Sequence, residues 1–217
     1  MGRVNNLAAT ALFLGVTFLA LPTSASAWTA LVLGDSISAA YQLDEEDGWV
    51  SLAETALRER HPDAEVEFVN ASISGDTTDG GLRRLPDALE RFEPDLVVIE
   101  LGGNDGLRGY PPDTMRQNLE EMARLADEAG ADVLILGMMI PSNYGSAFTE
   151  MFSKAFDDAA AASGAELLPF LLEPIADDRA YFQSDGIHPT AEAQPLLVEH
   201  VLPALEASVA AHADDAP

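Results

Sequence analysis

The stretch Leu96-Val97-Val98-Ile99-Glu100-Leu101-Gly102-Gly103-Asn104-Asp105 sets the frame for the whole chain. A continuous run of apolar, largely β-branched residues reads as a strand covered on both faces, and the paired glycines that follow it read as a tight turn. Both neighbours in sequence carry the other period. Asp79 to Phe92 before it and Thr114 to Ala129 after it place apolar residues at helical spacing. The alternation extends in both directions. Thr29 to Leu33, Val66 to Asn70, Val133 to Met138 and Glu166 to Leu168 read as further strands, and Trp49 to Arg60 and Ala147 to Ser163 as further helices. Pro189 and Thr190 introduce a last helix through about Ala207. Five strands alternating with helices predict an α/β fold, a five-stranded parallel sheet with helices on both faces and no interdomain linker. In such sheets functional groups gather beyond the carboxyl ends of the strands.

Composition narrows the chemistry. The chain has 217 residues, 47% of them hydrophobic, which is enough for one domain with a full core. It has no cysteine, which removes disulfides, thiol nucleophiles, cysteine-ligated metals and iron–sulfur clusters. Against 37 acidic side chains stand 11 basic ones, for a net charge of -26, so nucleic acid and anionic lipid are poor partners. Lys154 is the only lysine, and the acidic residues are spread along the chain rather than gathered in a tail. That excess fits either a soluble acidic surface or a protein adapted to high salt, where a short Debye length screens self-repulsion.

The amino terminus reads as an address. Arg3 precedes an apolar run from Leu7 to Leu21, and Ala25-Ser26-Ala27 follows with the small-x-small pattern of signal peptidase sites. The run is shorter than the ~20 residues a bilayer needs, so cleavage after Ala27 is expected and a stable membrane anchor is not. The expected divisions are a leader over residues 1–27, a single folded domain over 28–210 and a polar tail over 211–217. The expected location is the periplasm or the medium.

The loops at the strand ends carry the chemistry. Gly34-Asp35-Ser36 puts a serine on a strand-to-helix turn, where its hydroxyl is exposed and its N–H favours a developing anion. Ser36 is the candidate nucleophile, and Asp35 reads as a turn former. Ser72 to Thr78 contains Gly75, whose backbone N–H can approach a ligand closely. Gly102-Gly103-Asn104 offers a side-chain NH₂ donor. Before the last helix, Asp185-Gly186-Ile187-His188 sets a carboxylate three residues before a histidine, where it can orient the ring while His188 takes the Ser36 proton. His61, His200 and His212 read as solvated surface residues. Each loop alone has a plain structural explanation as a cap or turn; four together, each supplying what acyl transfer needs, are hard to explain that way.

With these blocks in view the sequence resembles the SGNH, or GDSL-type, hydrolase family. Gly34-Asp35-Ser36, Gly75, Gly102-x-Asn104-Asp105 and Asp185-x-x-His188 match its four signature blocks in order, and Ile37 stands where the family name has leucine. Asn104-Asp105-Gly106-Leu107-Arg108-Gly109, Asn143-Tyr144-Gly145 and Asp185-Gly186-Ile187-His188-Pro189 resemble its thioesterase I, lysophospholipase L1 and arylesterase branch. The resemblance implies a flavodoxin-like three-layer sandwich. It implies Ser36, Asp185 and His188 as catalytic triad, and Ser36 N–H, Gly75 N–H and the Asn104 side chain as oxyanion hole. It also implies no cofactor and no metal, a monomer, and carboxylic esters, lysophospholipids or acyl thioesters as substrates. Leu107, Tyr110, Pro111 and Ile140 are candidates to line the acyl groove, or else to pack.

Rival readings make separate demands. A carbohydrate deacetylase on the same scaffold calls for aromatic sugar platforms, and Trp28 and Trp49 are the only tryptophans. A phosphoryl-accepting receiver needs a lysine late in the sheet, whereas Lys154 falls in an expected helix. A metal site built from Asp35, Asp185 and His188 lacks paired histidines. A non-catalytic binding protein has no need of all four blocks.

Overall fold

The computed structural model describes residues 27–215. Five strands, β1 (Trp28–Gly34), β2 (Val66–Asn70), β3 (Leu96–Glu100), β4 (Asp132–Leu136) and β5 (Glu166–Leu168), pair in the order β2-β1-β3-β4-β5, every pair parallel. The central strands are the continuous apolar runs: β3 is buried along its whole length, and Leu31, Val32 and Leu33 of β1 are fully covered. Each strand lies within two residues of where apolar patterning put it.

Six helices connect and cover the sheet: α1 (Trp49–Arg60), α2 (Thr78–Phe92), α3 (Gly103–Leu107), α4 (Pro112–Glu128), α5 (Ser146–Ser163) and α6 (Gln194–Asp215). Because β-α-β crossovers are right-handed, the chain direction decides the face on which each helix lands. The step from β1 to β2 runs one way and every later step the other, so α1 packs with α6 while α2, α4 and α5 pack in a row on the opposite face. The reversal falls between β1 and β3, where both strands diverge to opposite sides and leave a crevice at their carboxyl ends. The expected sandwich is the fold.

Local chemistry explains the boundaries. Thr77 caps α2 by accepting the Gly80 N–H, and Pro112 opens α4 at the position where a missing N–H does no harm. Trp28 and Trp49 are both essentially inaccessible, at 1% and 0% exposure, so neither is a sugar platform. The Trp49 N–H donates to the Oε1 of buried Gln194 at 2.9 Å, which ties the start of α1 to the start of α6.

Two sequence expectations need correction. The Gly102–Gly106 segment was expected to be a turn; instead Gly102 takes a left-handed φ of 115° and the residues after it wind into α3. The last helix also outruns its expected end near Ala207. It continues through Asp215, with Val209 buried and His212 Nδ1 3.1 Å from Asp95 Oδ1, so the first residues of the expected polar tail belong to the helix. The expected leader lies outside the described residues. Among the described residues no helix is long and apolar enough to cross a membrane.

Candidate active site

The crevice between β1 and β3 is where the four sequence blocks converge. Ser36 stands in the turn directly after β1. Its Oγ lies 2.8 Å from His188 Nε2, and His188 Nδ1 lies 2.7 Å from Asp185 Oδ2, although Ser36 and His188 are 152 residues apart. The other Asp185 oxygen accepts the backbone N–H of Ile187 at 2.9 Å and of His188 at 3.1 Å. Gly186, at a left-handed φ of 74°, turns the chain so that the carboxylate and the ring face one another. Partial burial pushes the Asp185 carboxyl up, but the two backbone N–H bonds and the imidazole outweigh it and hold the group down at about 2. Asp185 therefore stands beside the ring as an anion at neutral pH.

Three possible donors border the same hollow as the hydroxyl. The N–H groups of Ser36 and Gly75 are donated to no other group among the described residues, and the Asn104 side chain comes from the first turn of α3. These three groups, with Leu107, Ile37, Tyr41, Ser74, Gly103, Met138, Ile187, His188 and Asp35, line one hollow of about 390 Å³, the size of a small-ligand site. Gly75 takes a φ of 80°, which a side chain would strain, and Arg108 holds its carbonyl at 2.8 Å. From α2, Arg84 reaches below this loop to Asp76 Oδ2 at 2.9 Å and to the Gly34 carbonyl at 3.3 Å, fastening the second loop to the end of β1.

The groove candidates separate. Leu107 lines the hollow. Ile140 is buried, and with Phe152 it occupies the space a side chain at Gly106 would need. Tyr110 is exposed outside the hollow, and Pro111 borders a different depression with Arg116, Met151 and Lys154. Apolar patterning cannot tell a groove residue from one that packs, which is why both readings stood open for all four; Ile140 takes the packing one. Sequence reasoning did not single out Tyr41, Met138 and Ile187, which also line the hollow.

It also missed what Asp35 does. Asp35 is buried at 3% exposure; its Oδ2 accepts the Asn104 Nδ2–H at 2.8 Å and its Oδ1 the Ile37 N–H at 3.0 Å. Beneath it lies Glu100, the last residue of β3, opposite Gly34 in the β1–β3 register and fully buried. Glu100 Oε2 accepts the Ser38 hydroxyl at 2.7 Å and the Asp35 N–H at 3.2 Å. Both carboxyls are pushed up by burial, Glu100 well above the usual range with the Asp35 charge adding to the effect. The nucleophile turn is thus pinned from below at two residues flanking Ser36. Asp105 is structural: it accepts the Thr78 N–H at 2.9 Å and hydroxyl at 2.6 Å, locking α3 to the start of α2.

Among the described residues no group of three or more His, Asp or Glu side chains is placed to hold a metal ion. A hollow of similar size at the opposite end of the sheet, lined by Trp28, His61, Val209 and His212, contains no serine or threonine beside a base.

Comparison with known proteins identifies the family and the fold. The model of the GDSL-like lipase/acylhydrolase family matches residues 32–195. The chain is 50% identical to Esterase TesA of Pseudomonas aeruginosa over 186 residues, covering 86% of this chain and 92% of that protein. It is 46% identical to an arylesterase of Vibrio mimicus over 171 residues, covering 79% and 84%. The crystal structure of TesA superposes with a TM-score of 0.80 at 49% identity, covering 83% of this chain and 99% of that one.

Proposed function

The chain belongs to the GDSL-like lipase/acylhydrolase family and is an ester hydrolase, and on that premise we propose that it works through a Ser36 acyl-enzyme with His188 and Asp185 as base and orienter. The observation that carries this reading is the continuous bond sequence from Asp185 through His188 to Ser36, in a hollow also lined by Gly75 and Asn104.

Ser36 Oγ bonds to the ester carbonyl carbon as its proton passes to His188 Nε2, and the carbonyl electron pair moves onto oxygen. Ser36 N–H, Gly75 N–H and Asn104 Nδ2–H receive that oxyanion. Asp185, ionised at every working pH, holds the ring in the tautomer with a free Nε2 lone pair and stabilises the imidazolium. Collapse breaks the bond to the leaving oxygen or sulfur, which departs with the His188 proton. Water then gives a proton to His188 and bonds to the acyl carbon; the second collapse breaks the Ser36 Oγ–carbon bond, returns the proton to Ser36 and frees the acid. No cofactor enters.

The substrates are carboxylic esters, including aryl esters and lysophospholipids, with acyl thioesters as a further class. The apolar side chains of Ile37, Leu107, Met138 and Ile187 in the hollow support an acyl chain rather than a sugar, as does the burial of both tryptophans. The protein acts as a monomer outside the cytoplasm after cleavage behind Ala27, on the strength of the Ala25-Ser26-Ala27 pattern.

The test is hydrolysis of p-nitrophenyl esters from acetyl to palmitoyl by the chain beginning at Trp28, beside Ser36→Ala. Activity that disappears with Ser36 and persists beyond acetyl supports the reading. Activity confined to acetyl groups on sugars moves it to a deacetylase, and no turnover by the folded protein on any ester overturns it.

A further inference from the structure

One aromatic side chain at the site has no part in the scheme above. Tyr41 lies against the His188 ring with centroids 4.2 Å apart and planes inclined at 31°. Its backbone is joined to both halves of the proposed catalytic pair. The Tyr41 N–H donates to the Ser36 carbonyl at 3.1 Å, and the Tyr41 carbonyl accepts from Gln183 Nε2 at 2.9 Å. Gln183 in turn donates its N–H to the His188 carbonyl at 2.8 Å and its side-chain amide to the Pro189 carbonyl at 3.0 Å. A single residue thus spans the nucleophile turn and the histidine loop.

The backbone around it is unusual. Ala40 and Gln42 have φ of 53° and 59°, and with Glu93 they are the only non-glycine residues in left-handed conformation among the described residues. Side chains resist that region, and such conformations persist where the surrounding structure enforces them, often at active sites. Here the two strained residues flank Tyr41, and what they achieve is to turn its ring onto His188.

From this we infer that Tyr41 is a positioning residue for His188, an inference that rests on the Ser36–His188 reading. The bonds of His188 to Asp185 and Ser36 both lie in the ring plane and leave the ring free to rock about the line between its two nitrogens. An aromatic plate on one face blocks that motion and keeps Nε2 aimed at the Ser36 hydroxyl. The same face attracts the imidazolium formed when Ser36 gives up its proton. The Tyr41 hydroxyl has no protein partner among the described residues, so the ring is the working part.

The test compares the unaltered enzyme, Tyr41→Phe, Tyr41→Leu and Ser36→Ala on p-nitrophenyl butyrate, each with its melting temperature. Positioning predicts that Tyr41→Leu loses kcat by on the order of 10- to 100-fold, the penalty of a misaimed base, while KM stays within about twofold. Tyr41→Phe, which keeps the plate, retains kcat within about threefold. Tyr41→Met replaces the leucine variant should that one melt early. A loss carried mainly by KM makes Tyr41 a wall of the substrate hollow and overturns the inference, as does an unchanged kcat or a phenylalanine variant as poor as leucine. An inactive parent, or activity that survives Ser36→Ala, instead overturns the serine hydrolase reading beneath it.

Discussion

Asp35 Oδ2 accepts the side-chain N–H of Asn104 at 2.8 Å, so a buried residue of the nucleophile turn sets the direction of a donor carried by a different strand end. An amide held by one N–H presents the other in a fixed direction, which is what preorganised stabilisation of an oxyanion requires.

Asn104→Ala accordingly loses ~10²–10³ in kcat, the usual effect of removing one oxyanion donor, while keeping its fold. Asp35→Ala loses less, about tenfold, because the amide remains but is no longer aimed. If Asp35 acts through Asn104, steady-state kinetics of the double variant match Asn104→Ala alone rather than the product of the two losses.

Asp185→Asn keeps its packing but no longer fixes the productive tautomer, and kcat falls by roughly 10²–10⁴. The same change alters acid stability. The Asp185 carboxyl sits at about 2 in the fold against 3.8 ordinarily, so its contribution is complete above 3.8 and disappears as pH falls through about 2. Melting curves between these pH values fall less steeply for Asp185→Asn than for the parent.

Glu100 has the opposite sign. Burial raises it, so the folded state prefers the neutral carboxyl, and its contribution is greatest below the ordinary value of 4.5 and is lost as pH rises toward the folded value. Glu100→Gln resembles the neutral form at every pH. The melting temperature of the glutamine variant, measured relative to the parent, therefore increases from pH 4.5 to pH 8; a constant difference contradicts this account of Glu100.

The fold was readable because β1, β3 and β4 are continuous apolar runs, a pattern that burial on both faces demands. The catalytic trio was readable because glycine-bearing turns and the three-residue Asp185–His188 spacing survive as local patterns in sequence. Asp35 was read only in part for a physical reason: it does form the turn, through the Ile37 N–H, but an aspartate that also orients an amide 69 residues away looks no different until β1 and β3 are set side by side. Glu100 drew no comment within the apolar run of β3, and only the register against Gly34 reveals it beneath the serine. Tyr41 carried no signal beyond its distance from Ser36, since its role depends on two non-glycine residues in left-handed conformation.

The acidic surface makes its own forecast. Arg58, Arg60, Arg83, Arg84, Arg116, Arg124 and Lys154 are each paired with carboxylates, several at i,i+4 on one helix, which leaves most of the acidic side chains among the described residues outside any ion pair. Raising salt from ~10 mM to ~1 M shortens the Debye length from about 30 Å to about 3 Å. The melting temperature rises over that range; a flat or falling profile leaves only a soluble acidic surface.

The central claim is that Ser36 is a nucleophile activated by His188, and covalent labelling tests it most directly. An aryl phosphonate ester added to the folded enzyme should attach one phosphonyl group per chain, found by mass spectrometry on the peptide containing Ser36, with labelling slowed strongly in His188→Ala. Modification at another residue, or continued ester hydrolysis by a protein whose Ser36 has been replaced, would contradict it.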